Sequence, residues 1–227
     1  MLSRHYEGGV AVQIEVFSDV VCPWCYVGFV RLRQALAARP DLPAEVTWLP
    51  FELNPGLPPE GRDRREYMLE RFGDVDRFAA GQRQLEGVGV ELGIDFQFAR
   101  VTRAPNTRRA HMLLAHARRA GFQTEVKGAL LEAHFSRGLD VADPAVLAGI
   151  AAACGLDGDA ARRAVDDPAL RSEVEALEAL AHRWQVSGVP TFVFDRRQAF
   201  SGAQPLEVFL RVFEALQGGG SAPSTTH

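Results

Sequence analysis

The sequence has only three cysteines, Cys22, Cys25 and Cys154, and no second Cys-x-x-Cys. A zinc site needs about four ligands, commonly from two such pairs. His111, His116 and His134 have no spacing that would complete one, so no metal is expected at Cys22 and Cys25. There is no excess of positive charge either. A net charge of −4 argues against a phosphate-seeking surface and against nucleic acid as a partner. The arginines at Arg62–Arg65, Arg108–Arg109 and Arg118–Arg119 read as solvated surface.

Long apolar runs are missing as well. The most apolar stretch, Ala145–Leu156, contains glycines and is shorter than the roughly 18 residues a membrane span requires. Met1–Gly9 lacks the basic-then-apolar order of a signal peptide. Val10–Phe17 is broken by Gln13 and Glu15 and reads as a strand. The expectation is a cytoplasmic protein with no membrane partner. Thiols there are mostly kept reduced, so a Cys-x-x-Cys is catalytic or metal-binding rather than a structural staple. Cys154, at an apolar helical end, reads as a small buried hydrophobe. No internal repeat is visible. Residues 1–12 are expected to be flexible, and the tail 218–227, without core-forming residues, disordered.

What is present is an ordinary globular composition, 47% hydrophobic and 24% charged, enough for a full core. Strand-like runs cluster at the two ends. Gln13–Phe17 and Glu45–Leu49 flank a helical pattern at Tyr26–Ala38 that Pro40 and Pro43 terminate. Thr191–Phe194 and Gln198–Phe200, joined by a turn at Asp195–Arg197, read as a hairpin, and a last amphipathic helix covers Leu206–Leu216. Between these ends helical periodicity dominates. The spacing predicts helices at Arg64–Phe72, Val75–Val88, Asn106–Ala120, Gln123–Phe135, Pro144–Cys154, Asp157–Val165 and Pro168–Trp184, with Asp143-Pro144 and Asp167-Pro168 as cap-then-proline starts. Gly89–Arg103 reads as extended or looped, a short lid segment rather than sheet, with Ile94, Phe96 and Phe98 alternating. A βαβ unit demands parallel strands and a hairpin antiparallel ones, so the central sheet is expected to be mixed.

The chemistry concentrates in Cys22-Pro23-Trp24-Cys25, where a strand hands over to a helix. Thiols at i and i+3 on a first helical turn share a face and can reach one another. Cys22 sits at the N-cap side, near unpaired N–H groups and the positive end of the helix dipole. It is therefore expected to be the more exposed and more acidic thiol, attacking as thiolate while Cys25 resolves the mixed disulfide. Pro23 occupies the tolerated first helical position. In Val189-Pro190-Thr191, proline opens a strand it cannot hydrogen-bond within. A cis bond would expose the Val189 backbone to a substrate; an ordinary trans turn is the alternative for that segment taken alone.

Ser18-Asp19-Val20-Val21-Cys22-Pro23-Trp24-Cys25 and Ser187-Gly188-Val189-Pro190-Thr191-Phe192 together resemble the two signatures of DsbA-like thioredoxin-fold proteins. More narrowly they are similar to the FrnE-type dithiol oxidoreductases, relatives of 2-hydroxychromene-2-carboxylate isomerase and kappa-class glutathione transferase. Supporting matches are Phe51–Pro55, Asn106-Thr107 with Ala110-His111, His134–Gly138 and Ser201–Pro205. The resemblance implies an α/β thioredoxin-like fold with a mixed central sheet and a large α-helical insertion. The thioredoxin-like part would span 13–60 and 185–217 and the inserted helical domain 61–184. It also implies a cis Pro190, often a homodimer, and a thiol or disulfide substrate. The isomerase and transferase relatives carry serine where Cys22 stands, so the intact pair favours dithiol redox. Asn54 and the Val189-Pro190 backbone match positions that contact glutathione in those relatives. This makes glutathione a candidate co-substrate, with no bound cofactor expected.

Around these residues several roles stay open. Asp19 reads as a proton acceptor near Cys25 or as a loop-solvating acid, and Ser18 as a hydrogen-bond donor to Cys22 or a turn former. Trp24 is an exposed apolar edge of the binding surface or packs on the helical insert. His111 reads as a packing residue, and Trp48 and Trp184 as core. Three functions follow: a cytosolic thiol–disulfide oxidoreductase, a glutathione-dependent isomerase or transferase of aromatic substrates, and a non-enzymatic partner- or zinc-binding protein.

Overall fold

The computed structural model of the chain describes residues 11–73 and 75–217. The expectations for the tail 218–227, and for all of 1–12 but its last two residues, lie outside the described residues. Val12 already belongs to the first strand.

Strand β1 (Val12–Ser18), helix α1 (Pro23–Ala38) and strand β2 (Ala44–Pro50) make the opening unit. The chain continues through β3 (Arg62–Asp63), α2 (Arg64–Phe72), α3 (Val75–Leu92), a 3₁₀ turn at Phe98–Arg100 and β4 (Arg103–Ala104). It then forms α4 (Arg108–Ala120), α5 (Gln123–Phe135), α6 (Pro144–Ala153), α7 (Gly158–Ala164) and α8 (Pro168–Arg183). Strands β5 (Thr191–Phe194) and β6 (Gln198–Ser201) and helix α9 (Leu206–Gln217) close it. Four strands form one sheet in the order β2-β1-β5-β6. The β1–β2 pair is parallel, while β1–β5 and β5–β6 are antiparallel. The sheet is thus mixed, and a run of helices is inserted between β2 and β5, as expected.

Alternation in β1 and β5 sends side chains to both faces of the sheet. Ile14, Val16, Phe192 and Phe194 pack with Phe29 of α1 and with Phe209 and Phe213 of α9. Phe17, Leu49 and Val193 pack on the other face with Ala181 of α8 and with Trp184. Each such fully buried large side chain contributes about 1.5–3 kcal/mol, so the sheet is fixed from both sides. Trp48 is core, as expected, and Trp184 is half-buried with its ring 5.7 Å from that of Phe17.

Local sequence explains the helix starts of the insertion. The side chains of Asp143, Asp157 and Asp167 accept from Ala145 N, Ala160 N and Ala169 N at 2.7, 3.0 and 2.8 Å, satisfying amides the helix leaves open. The expected extended lid at 89–103 is corrected in two ways. Helix α3 continues to Leu92 and stops where Gly93 takes φ 71°. Ile94, Phe96 and Phe98 are then buried in the main core, with Phe96 5.6 Å from the Phe135 ring and 5.1 Å from Phe98. Apolar alternation there marks packing rather than a cover. Strands β3 and β4, two residues each, pair with one another and are too short to read from sequence. Cys154 is half-buried at the C-cap of α6. Among the described residues no helix is long and apolar enough to cross a membrane.

Candidate active site

Strand β1 ends at Ser18, and the next three residues turn the chain into α1. Cys22 is the N-cap, with extended backbone (φ −90°, ψ 114°), Pro23 opens the helix, and no side chain caps its end. The Cys22 carbonyl accepts from Cys25 N at 3.0 Å and Tyr26 N at 3.3 Å. Both cysteines are free thiols. Cys22 retains 6% of its surface and Cys25 none, so Cys22 is the more accessible of two buried sulfurs. The Val189–Pro190 bond is cis. Across the gap the Cys22 thiol donates to Val189 O at 3.6 Å, so this carbonyl faces the more accessible sulfur. A Cβ on Gly28 of α1 would lie 3.0 Å from Pro190 Cγ and from Phe192 Cζ. Glycine at that position lets the helix lie against the proline loop.

Thr191, expected to touch substrate, is buried. Its hydroxyl donates to Gly188 O at 2.7 Å and lies 2.7 Å from Ser201 Oγ, so it closes the loop from inside. The Ser18 hydroxyl is buried and makes no hydrogen bond to Cys22; its influence falls on Cys25. Asp19 does not solvate a loop: it is completely buried. One oxygen accepts from Val20 N at 2.7 Å and meets His111 Nε2 at 3.3 Å, and the other accepts from Leu53 N at 2.8 Å. Burial pushes the Asp19 carboxyl up, but the hydrogen bond and charge of His111, with the Leu53 N–H, hold it below its ordinary value. A carboxyl so held stays ionised and is a poor proton acceptor.

The two thiols are driven apart. Cys22 is pushed well up, first by its hydrogen bond with Cys25, then by burial, with the Asp19 charge adding to both. Burial also pushes Cys25 up, but Cys22, the charge of Lys127, the Ser18 hydroxyl and the Asp19 N–H outweigh it and hold Cys25 below a free thiol. In the reduced pair the two thiols share a proton, and the helix end beside Cys22 is answered by stabilising partners on the Cys25 side. The shared negative charge is drawn inward to Cys25 because its stabilising partners lie on that side.

Beside the thiols is a cleft of about 550 Å³. Pro23 and Trp24 form one wall, and Trp24 keeps 37% of its surface exposed, which makes it an edge of the cleft. Asn54 faces it, its side-chain oxygen accepting from Tyr67 Oη and from Arg71 Nη1, the latter at 2.8 Å. Phe98, Phe135 and Leu85 supply apolar lining, with Arg64 and His134 among them. Burial, then the nearby Arg64 charge, lowers His134 to about 4, so its ring is neutral near pH 7. Val189, Pro190 and Thr191 do not line this cleft; Val189 meets Cys22 through its carbonyl.

Sequence reasoning set His111 aside and did not single out Lys127 or Tyr67, and it read Arg64 as solvated surface, where the fold half-buries it in the cleft wall, donating to Phe98 O at 2.8 Å. For Lys127 a cue existed, because it is the one lysine in the chain. His111 lay within a quoted match, but only the fold brings it to Asp19.

Residues 13–214 match the DSBA-like thioredoxin domain. A probable DsbA oxidoreductase from Streptomyces coelicolor is 32% identical, with a TM-score of 0.82 over 95% of this chain and 94% of that one. The uncharacterised protein YwbO of Bacillus subtilis is 26% identical over 185 residues, 81% of this chain and 87% of its own length. The cytosolic disulfide reductase DsbM of Pseudomonas aeruginosa, solved with GSH, shares the fold at 19% identity, with a TM-score of 0.65 over 91% of this chain and 99% of that one.

Proposed function

The chain belongs to the DsbA-like thioredoxin domain family, and on that premise we propose that it is a cytoplasmic thiol–disulfide oxidoreductase working through Cys22 and Cys25. The observation that carries this reading is the pair itself. Two free thiols share the first turn of an uncapped helix, with the Cys22 sulfur 3.6 Å from the Val189 carbonyl.

In the oxidised form a substrate thiolate attacks Cys22 Sγ. The Cys22–Cys25 bond breaks, a substrate–Cys22 disulfide forms, and the electron pair leaves on Cys25. A second substrate thiol then attacks the mixed disulfide, takes the product disulfide away and leaves both cysteines reduced. Reversing these steps reduces a substrate disulfide. Inequality between the thiols supports this division of labour: the accessible sulfur takes the attack and the buried one holds the charge. A lower-pKa leaving thiol departs faster.

Cys22→Ser is expected to abolish both insulin reduction and oxidative refolding of reduced ribonuclease, while Cys25→Ser accumulates a mixed disulfide at Cys22. Activity retained in Cys22→Ser sinks the proposal. Glutathione is the proposed co-substrate, for which a cleft of about 550 Å³ edged by Trp24 and Asn54 is of small-molecule size. The cleft's apolar lining by Phe98, Phe135 and Leu85 supports a second reading, a glutathione-dependent reaction on an aromatic substrate. Turnover of such a substrate that survives Cys25→Ser would favour it.

A further inference from the structure

Helix α5 places a cation where the redox pair can feel it. Of the 25 lysines and arginines in the sequence, Lys127 is the one lysine, and it is 0% exposed. Its ammonium has no hydrogen-bond partner, and the ring of Trp48 lies 5.8 Å from Nζ. The charges that reach it are those of Cys25, Asp19 and Cys22.

The position is held tightly. A Cβ on neighbouring Gly128 would come within 2.9 Å of the Phe29 ring of α1, so α5 lies close against the helix that carries the thiols. At its start Gln123 bonds both the N–H and the C=O of Trp48, at 3.0 and 2.9 Å, and Trp48 Nε1 donates to Thr124 Oγ1 at 3.0 Å. Lysine commonly extends its stem and carries its ammonium to water; here the whole side chain is enclosed.

An ammonium withdrawn from water is strongly disfavoured unless a negative charge answers it. Asp19 already serves Val20 N, Leu53 N and His111. Of the two thiols whose charge reaches Lys127, the Cys25 sulfur acts the more strongly. Arginine keeps its proton throughout, whereas lysine adjusts its ionisation when buried. The chain departs from arginine once, and does so beside a sulfur whose charge changes during exchange.

We propose that Lys127 is a positioning residue for thiol–disulfide exchange: its ammonium is the counter-charge that receives the thiolate released on Cys25 when the Cys22–Cys25 bond opens. The proposal rests on the dithiol reading above. When the substrate thiolate attacks Cys22 Sγ, the leaving electron pair collects on Cys25 Sγ within the field of Lys127, and no proton has to arrive from solvent. In the return step the same thiolate attacks Cys22 Sγ and expels the substrate sulfur. Burial holds the Lys127 ammonium below its ordinary value, and the charges of Cys25, then Asp19 and Cys22, offset part of that.

In a Cys22→Ser, Cys154→Ala background Cys25 is the sole thiol, and its thiolate absorbance can be followed against pH without any turnover. Lys127→Met there is expected to leave about tenfold less thiolate at a given pH below the midpoint. With the pair intact, Lys127→Met should lower the equilibrium constant for reduction by glutathione about tenfold, or about 30 mV. Lys127→Arg should return both quantities toward the parent. Thermal unfolding of each variant reads the fold, and a lysine with only a structural role would move that midpoint alone. Lys127→Gln repeats the measurements should the methionine variant fail to fold. Both redox readouts unchanged within about twofold overturn the proposal. If the parent does not exchange with glutathione while the Cys25 titration still follows Lys127, the dithiol reading fails and the charge pairing stands.

Discussion

Strand β2 is an edge of the sheet, and its outward backbone groups at Trp48 are buried beneath α5 rather than open to water. Gln123 completes them, accepting from Trp48 N at 3.0 Å and donating to Trp48 O at 2.9 Å. A single side-chain amide thus stands in for one residue of a neighbouring strand. Gln123→Ala removes both partners at once and leaves a buried donor and a buried acceptor unpaired. Each such orphan costs about 1–3 kcal/mol, so the variant should lose about 2–6 kcal/mol. That is a large share of the roughly 5–15 kcal/mol that holds a typical domain. Urea unfolding followed by tryptophan fluorescence should show a lower midpoint with an unchanged slope. The melting temperature should fall by roughly 10 °C, at about 2–4 °C per kcal/mol for a chain of this size. Gln123→Glu separates the two bonds, because an ionised carboxylate still accepts from Trp48 N but cannot donate to Trp48 O. A loss below about 1 kcal/mol in Gln123→Ala, with the slope unchanged, would refute the reasoning.

Two further outcomes concern the buried charges. Asp19→Asn takes the buried carboxylate away from His111, Leu53 N and Val20 N and should cost about 1.5–3 kcal/mol, as losing a hydrogen bond to a charged group does, read by urea unfolding at pH 7. Because the folded Asp19 carboxyl lies below its ordinary value, its contribution is complete above the unfolded carboxylate range, about pH 4. It is lost as pH falls through the lower folded value, and the variant should lack that acid dependence. For His134 the folded value of about 4 lies below the ordinary 6.5, so the unfolded chain binds the extra proton first. About 3 kcal/mol of stability should drain away as pH falls from about 6.5 to about 4, and His134→Leu should flatten stability over that window.

The parts of this molecule legible in sequence are those set by local chemistry. Asp143-Pro144 and Asp167-Pro168 mark helix starts because an aspartate cap and a proline at the first position act within three residues. Helix α5 was legible to both of its ends, Gln123 and Phe135. Cys22 to Cys25 reads as a redox turn because strand, N-cap and helix adjoin in sequence. What stayed hidden depends on contacts between distant segments. Gly89 looks like a helix breaker, yet it lies inside α3, where a Cβ would come within 2.7 Å of Ile94 O and the Phe96 ring. Its smallness serves the returning chain. Cys22 looked the more acidic thiol because the helix end is local, whereas Lys127, 102 residues beyond Cys25 in the chain, is brought to the pair only by the fold. His111 resembled a packing residue until the fold set it beside Asp19.

Enclosing the one lysine also changes how the protein meets amine chemistry. In the native fold a lysine-directed reagent has no accessible side chain to modify, since Lys127 lies wholly inside. Its labelling requires α5 to lift from β2 and α1, which means breaking the Gln123 and Thr124 bonds to Trp48. The rate at which such a label enters therefore reports one particular opening of the structure, seen at a single site without background from other lysines. Lys127 is a built-in clock for the separation of the helical insertion from the central sheet.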